Sequence, residues 1–378
     1  MASISWNSAV SGNWNTGTDW SSGTVPGASD AVTLGLSGSY TVSITAPITP
    51  VGTIAITDGS ATLAVQDVAT GLTTGNLTNA GNFDVDYGGG GGSTLTIGGT
   101  LTNSNYVQIG NGGVTSATTV TAAGLANTGT INIEGGNVAQ ATLDITGAAP
   151  SALGGDWTLG GAALVEFGSG QITSIAAAGT LSVDGPDVLI ADAGATGSDS
   201  ALALTSNAGT IELQDGAVLT AAGALDNSGF VYVDLVGSGG STLTVDGTLT
   251  NSGFVYIGSS GITAAATLTA SGLSNTGTIE LQDGALLTSA GALTNSGSIY
   301  VDLVGSGGST LTVDGTLTNS GSVYIGSGVT TAARSTLDIT GAAPSALGGD
   351  WTLGGAALVE FGSGQITSIA AAGTLSVD

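Results

Sequence analysis

A 51-residue block, Gly209 to Ser259, returns 68 residues later as Gly277 to Ser327 with six substitutions. Near-identical units in tandem must adopt the same structure and stack on one another, which restricts the fold more than any other feature of the chain. Inside the block runs a shorter beat, Leu-x-Asn-x-(Gly/Asn) followed by alternating apolar residues. Its asparagines fall at Asn79, Asn103 and Asn127, and again at Asn207, Asn227, Asn251, Asn275, Asn295 and Asn319. The spacing is 24 in the first run and 20, 24, 24, 20 and 24 in the second, so coils of 20, 24 and 24 residues build each three-coil block, 209–276 and 277–344.

Thr242 to Gly258 shows the plan of a coil: a strand Thr-Leu-Thr-Val, a turn at Asp246-Gly247, a strand Thr-Leu-Thr, a corner at Asn251-Ser252-Gly253 and a strand Phe-Val-Tyr-Ile. Alternation with period 2 marks strands that bury one face. Asp-Gly and Asn-x-Gly are expected to supply the φ > 0 positions of sharp corners. Two or three short strands per coil, stacked on their equivalents, predict an all-β parallel β-helix (β-solenoid) with 20–24-residue coils over 61–378. About fifteen roughly triangular coils, each rising about 4.8 Å, would form a rod of roughly 70 Å.

Two columns assign the faces. Four residues after each motif asparagine stand Phe83, Val107, Ile131, Ile211, Val231, Val255, Ile279, Ile299 and Val323, all apolar and expected inside. Five residues after it stand Asp84, Gln108, Asn132, Glu212, Tyr232, Tyr256, Glu280, Tyr300 and Tyr324, expected outside. A slip of one residue would invert both.

Composition agrees with strands and turns: 67 Gly, only 7% charged residues and 41% hydrophobic residues. Glycine follows no Gly-X-Y period and there are six Pro, which excludes collagen. Twenty-seven acidic residues face one base, Arg334, with no Lys or His, for a net charge of −26. Nucleic acid and anionic membranes are recognised through Lys and Arg, so neither is an expected partner. The acids read first as a solvated surface and second as sites where divalent cations such as calcium bridge molecules. No Cys is present, so disulfides and thiolate metal sites are impossible.

Residues 1–60 read as an N-terminal capping region rich in tryptophan, because Trp6, Trp14 and Trp20 can hide a first coil from water. A ligand-binding tryptophan cluster is the alternative. Met1 to Trp20 lacks the basic and apolar regions of a secretory signal, and no apolar run is long enough for a membrane helix, so no membrane insertion is expected. Residues 142–184 and 336–378 are identical over 43 positions; they lack the Asn beat, carry Trp157 and Trp351, and read as wider, irregular coils. The second copy runs to Asp378 without a polar cap, so its last coil belongs to a longer array or is covered by another molecule.

The motif asparagines, notably Asn227, Asn251, Asn275, Asn295 and Asn319, are expected to form an amide ladder. Tyr232, Tyr256, Tyr300 and Tyr324, with Phe230 and Phe254, are the candidate ligand surface. Cross-strand stacking explains them without a ligand; a flat face for sugar rings or a second filament is the functional reading. The recurring acids Glu212, Asp215, Asp234, Asp246, Glu280, Asp283, Asp302 and Asp314 could serve a polysaccharide-degrading enzyme, the least favoured reading; they have no Asp-Asp pair, Lys or His beside them, so no enzyme and no catalytic residue is expected. The Gly-Gly-x-Gly-x-Asp signature of calcium-binding β-rolls is absent near Gly88 to Gly92 and Gly237 to Gly240, so no metal site or cofactor is assigned.

The opening Trp6-Asn-Ser, Gly12-Asn-Trp14-Asn, Asp19-Trp20-Ser, Val25-Pro26-Gly27 and Asp30-Ala-Val32 resembles the start of large bacterial surface proteins of the autotransporter or β-strand-repeat type. The Leu-Thr-Asn-Ser-Gly-x-(Val/Ile)-Tyr coils are similar to the passenger regions of those adhesins. The resemblance implies an extracellular or cell-surface β-solenoid that serves as a stalk, adhesin or matrix component; the expected partners are further copies of the chain, joined end to end through uncapped coils into filaments or a surface layer, or a glycan or host surface. No translocating barrel follows Asp378 and no signal precedes Met1, which leaves the export route open.

Overall fold

The structure, a computed structural model, describes residues 2–193, 199, 201–326 and 333–378; residues 327–332 of the second three-coil block lie outside the described residues. The chain is an all-β parallel β-solenoid of about 15 coils of about 24 residues. Among the described residues the one helical element is a short 3-10 turn, Gly17–Asp19, and no helix is long and apolar enough to cross a membrane. The chain divides into two compact units, residues 1–172 with 187–202, and residues 173–186 with 203–378.

In the first unit one ladder runs through Ser3–Ser5, Ala31–Leu34, Thr53–Ile56, Asn76–Asn79, Thr94–Asn103, Thr118–Asn127 and Ala141–Ala148. A second runs through Gly12–Asn13, Tyr40–Ile44, Ala61–Val65, Asn82–Val85, Tyr106–Gly110, Thr130–Glu134 and Asp156–Gly160. Parallel pairing is already in register at Ser3 with Ala31, Ala31 with Thr53 and Tyr40 with Ala61. In the second unit the corresponding ladder stacks Thr210–Gln214, Phe230–Val233, Phe254–Ile257, Thr278–Leu281, Ser298–Val301 and Ser322–Ile325. A repeat coil thus contributes one short strand to this ladder and, to the other, either one continuous strand such as Thr242–Asn251 or two short ones such as Leu286–Ser289 and Leu293–Asn295.

The column four residues after the motif asparagine lies inside, every member 0–2% exposed. Its members pair directly: Ile211 with Val231, Val231 with Val255, Val255 with Ile279, Ile279 with Ile299 and Ile299 with Val323. β-Branched residues fit this arrangement because each packs against its own kind one coil away. Trp157 and Trp351 take the same inward position in the irregular coils, opposite Ile131 and Val323.

The corners differ from expectation. Asp246-Gly247 lies within the continuous strand Thr242–Asn251 as a register irregularity between Val245 and Thr248, and neither residue has positive φ. Asn251 and Gly253 also keep negative φ. Glycine is required there for space: a Cβ on Gly247 would lie 2.5 Å from Ala224 N, and one on Gly253 2.1 Å from Gly229 O. Gly229, Gly253, Gly277, Gly297 and Gly321 form a column in which each Cβ would strike the preceding member's region at 2.0–2.2 Å. Among the non-glycine residues described, positive φ occurs elsewhere, at Ser29, Asp67, Asp86, Asp215, Asp234, Asp283 and Asp302.

The two identical segments test what burial depends on. Val183, 4% exposed, and Leu181, 0% exposed, lie on the strand Thr180–Asp184 beneath Thr210–Gln214, whereas Val377 and Leu375 are 71% and 45% exposed. The same letters are core in one copy and surface in the other because of the neighbouring coil alone. Val183→Asp is therefore expected to destabilise the chain by about 3 kcal/mol or more, and Val377→Asp by less than about 0.5 kcal/mol. Urea unfolding of the two variants checks this; equal losses would contradict the assignment.

Candidate functional site

The asparagine ladder forms in both units. Asn79 Nδ2 donates to Asn103 Oδ1, Asn103 to Asn127, and in the second unit Asn207, Asn227, Asn251, Asn275, Asn295 and Asn319 continue the pattern, every step 2.8 Å. A carboxamide has both a donor and an acceptor, so one side-chain type can satisfy itself indefinitely along a stack. Each interior amide also donates across the corner, for example Asn251 Nδ2 to Thr278 O at 3.0 Å. The ladder has direction: Asn207 Oδ1, at its start, is buried without a hydrogen-bond partner.

The candidate aromatic residues stand on the outward side of the other ladder. Glu212 is opposite Tyr232, then Tyr256, Glu280, Tyr300 and Tyr324 follow in register, while Phe230 pairs with Phe254. Phe230 stacks on Tyr232 with ring centroids 5.8 Å apart at 17°, and tilts against Phe254 at 6.5 Å. Phe230 is 48% exposed; Phe254 and the four tyrosines are half-buried. Glu280 divides the tyrosines into two pairs, so they do not make one continuous platform. Burial, then the Glu280 and Asp283 carboxylates, push the Tyr256 phenol above its ordinary value, which keeps it neutral.

One member of the outward column departs from expectation. Gln108 is only 1% exposed. It lies under the Tyr106 side chain, whose hydroxyl donates to Gln108 Oε1 at 2.6 Å, and it receives a second hydrogen bond from Asn132 Nδ2 at 2.8 Å. Its neighbour across the ladder, Asp84, has its pKa raised to about 6 by burial.

The acids contain a device that the recurrence alone did not show. Asp86, Asp234 and Asp302 are fully buried and begin the loops Asp86 to Ser93, Asp234 to Ser241 and Asp302 to Ser309. In each loop the carboxylate accepts from the backbone N–H and hydroxyl of the serine seven residues later, at 2.7–2.9 Å. A hydroxyl of the following coil adds a third bond in two loops, Thr118 to Asp86 at 2.6 Å and Ser335 to Asp302 at 2.7 Å. The shared Asp-x-x-Gly-x-Gly-Gly-Ser pattern is the sequence signal for these clamps. Asp215 and Asp283 bind the next loop from outside, at Ser238 and Ser306. Ser238, through its hydroxyl and then its backbone N–H, lowers the Asp215 pKa.

Asp246 and Asp314 are exposed and lie apart from these clamps. No group of three or more His, Cys, Asp or Glu side chains suited to a metal ion occurs among the described residues. Near the N-terminus Trp6 and Trp14 meet Trp20 edge to face at 4.8 and 4.7 Å, and all three are buried, so no open indole face is presented there.

The chain matches no family model, no curated protein and no solved structure. The resemblance to bacterial surface proteins rests on the motif residues alone.

The ladder yields a graded expectation. Asn251→Ala removes the acceptor of Asn227 and the donor to Asn275 in a buried stack, and is expected to cost about 2–4 kcal/mol. Asn319→Ala, at the half-buried end, is expected to cost about 1 kcal/mol. Urea denaturation checks the order, and a reversal would refute the ladder as a source of stability.

Proposed function

We propose that the chain is an extracellular structural repeat protein, carried at a bacterial cell surface, whose function is the solenoid itself and its association with further copies. The observation that carries this reading is where the recurring polar residues go. The motif asparagines bond to one another, and Asp86, Asp234 and Asp302 close their own loops. Repetition at these positions maintains a coil and leaves little of the recurrent chemistry for a substrate.

Other observations support the location and the association. Lack of Cys is compatible with export, and the opening tryptophan motifs resemble those of surface proteins. The buried Trp6, Trp14 and Trp20 cluster is read as a cap over the first coil. The surface carboxylates make divalent cations such as calcium the natural bridge between chains that each carry a net charge of −26.

Electron microscopy of the purified chain at high concentration, with and without calcium, tests this. Particles that lengthen with concentration are the expected result. Short, separate particles under both conditions would remove the assembly part of the proposal.

A second reading, a carbohydrate-binding adhesin, is favoured by the exposed Phe230 ring stacked on Tyr232 beside Phe254 and Tyr256. On this reading, replacing Tyr232, Tyr256, Tyr300 and Tyr324 by Ser abolishes binding to a glycan array. Binding that survives all four substitutions would eliminate the site.

A further inference from the structure

Two cavities lie at equivalent places in the two units. Leu125, Ala126, Asn127, Pro150, Leu153 and Trp157 line one of about 120 Å³. Leu317, Thr318, Asn319, Pro344, Leu347 and Trp351 line one of about 160 Å³. The register explains both. Leu77, Leu101 and Leu125 stack in one column, and Leu225, Leu249, Leu273, Leu293 and Leu317 in another. Leu101, Leu249, Leu273 and Leu293, with leucine on both sides, are 0–2% exposed. Leu317 rises to 9%, and Leu125 is half-buried.

The irregular coil that follows causes the change. Counted back from the pairs Thr130 with Asp156 and Ser322 with Asp350, the leucine position is held by the exposed Ser151 and Ser345. The preceding Pro150 and Pro344 lack the N–H needed to continue a ladder. Each cavity therefore occupies the space beside an uncovered leucine, against a buried tryptophan.

The polar side chains common to both linings are already committed. Asn127 Nδ2 and Trp157 Nε1 both donate to Gly154 O, at 3.2 and 3.1 Å. Asn319 Nδ2 and Trp351 Nε1 both donate to Gly348 O, at 3.1 and 2.9 Å. With the amide and indole donors turned onto one carbonyl, the cavities favour an apolar guest over a polar one. Both are half-open to solvent, with exposed Ala152 and Ala346 at their rims, and each has about the volume of a cavity of roughly 150 Å³ that accepts benzene or xenon. The walls Leu125-Ala126-Asn127 and Leu317-Thr318-Asn319 differ in sequence, yet the same half-open pocket forms.

We propose that these cavities are two binding sites, one in each unit, for a small free apolar molecule the size of benzene. Crystals of the full chain equilibrated under xenon pressure test the proposal directly. Xenon is expected at both sites, with Ala152→Leu emptying only the first and Ala346→Leu only the second. Benzene is expected to raise the Tm of the wild-type chain by about 2 °C and to leave the folded double variant unchanged. If a substitution prevents folding, Ser151→Leu and Ser345→Leu, which return leucine to the column, take its place. Absence of xenon from both wild-type sites, or a benzene shift that persists in a folded double variant, overturns it.

Discussion

In a parallel stack the nearest neighbour of each side chain is the residue at the same coil position one turn away, so every residue type must tolerate a copy of itself. That constraint selects the columns. Val and Ile pack on Val and Ile inside, while an Asn amide accepts from one copy and donates to the next at 2.8 Å. Glycine persists where a carbonyl of the adjacent coil leaves no room for Cβ, as at Gly253. A carboxylate tolerates a like neighbour less well, because like charges directly opposite repel. Accordingly Glu212 and Glu280 in the outward column are separated by Tyr232 and Tyr256. Three coil rises put them about 14 Å apart, beyond the screening length of about 8 Å at physiological ionic strength. Carboxylates do meet directly at Asp144 opposite Glu166 and at Asp338 opposite Glu360, and there burial and then the Glu166 charge push the Asp144 carboxyl above its ordinary pKa.

The same constraint explains what could be read from the letters. Period-2 alternation assigns Ile211, Val231 and Val255 to the core and Glu212, Tyr232 and Tyr256 to the surface, since face depends only on parity. Corners are less legible. Asp215-Gly216 and Asp246-Gly247 are the same dipeptide, yet the first has φ of 53° and 86° while the second stays in a strand. At Gly247 the room for a Cβ is taken by Ala224 in the preceding coil, a neighbour that no local window contains. Likewise Asp234 and Asp246 look alike as recurring acids. One is buried because Ser241 returns to it, and the other projects from a bulge.

The candidate surface was legible as a set of positions rather than as a shape. Stacking of like on like follows from the 20- and 24-residue spacings, and the pairs Tyr232 with Tyr256 and Tyr300 with Tyr324 confirm that register. Their partial burial does not follow from spacing. Side chains in adjacent coils shield one another, and Phe230 covers Tyr232 from within the same strand. Gln108 carries this to its limit: a polar residue at an outward position becomes buried because Tyr106, two residues earlier on the same face, lies over it and bonds to it.

The six substitutions between the duplicated blocks bear on which face matters. Phe230 and Phe254 become Ser298 and Ser322, so both members of an adjacent pair change together and the new pair is again self-matched. A phenylalanine opposite a serine would lose its stacking partner and expose more of its ring. The paired exchange therefore answers a demand of the stack, whether or not a ligand is present. The tyrosines one step further in do not change, and neither do Glu212 and its counterpart Glu280. An adhesive face that needed the phenylalanines would exist in the first block alone. One that needed only the tyrosine pair would recur in both, three coils apart, which makes the tyrosines the more economical place for any repeated contact.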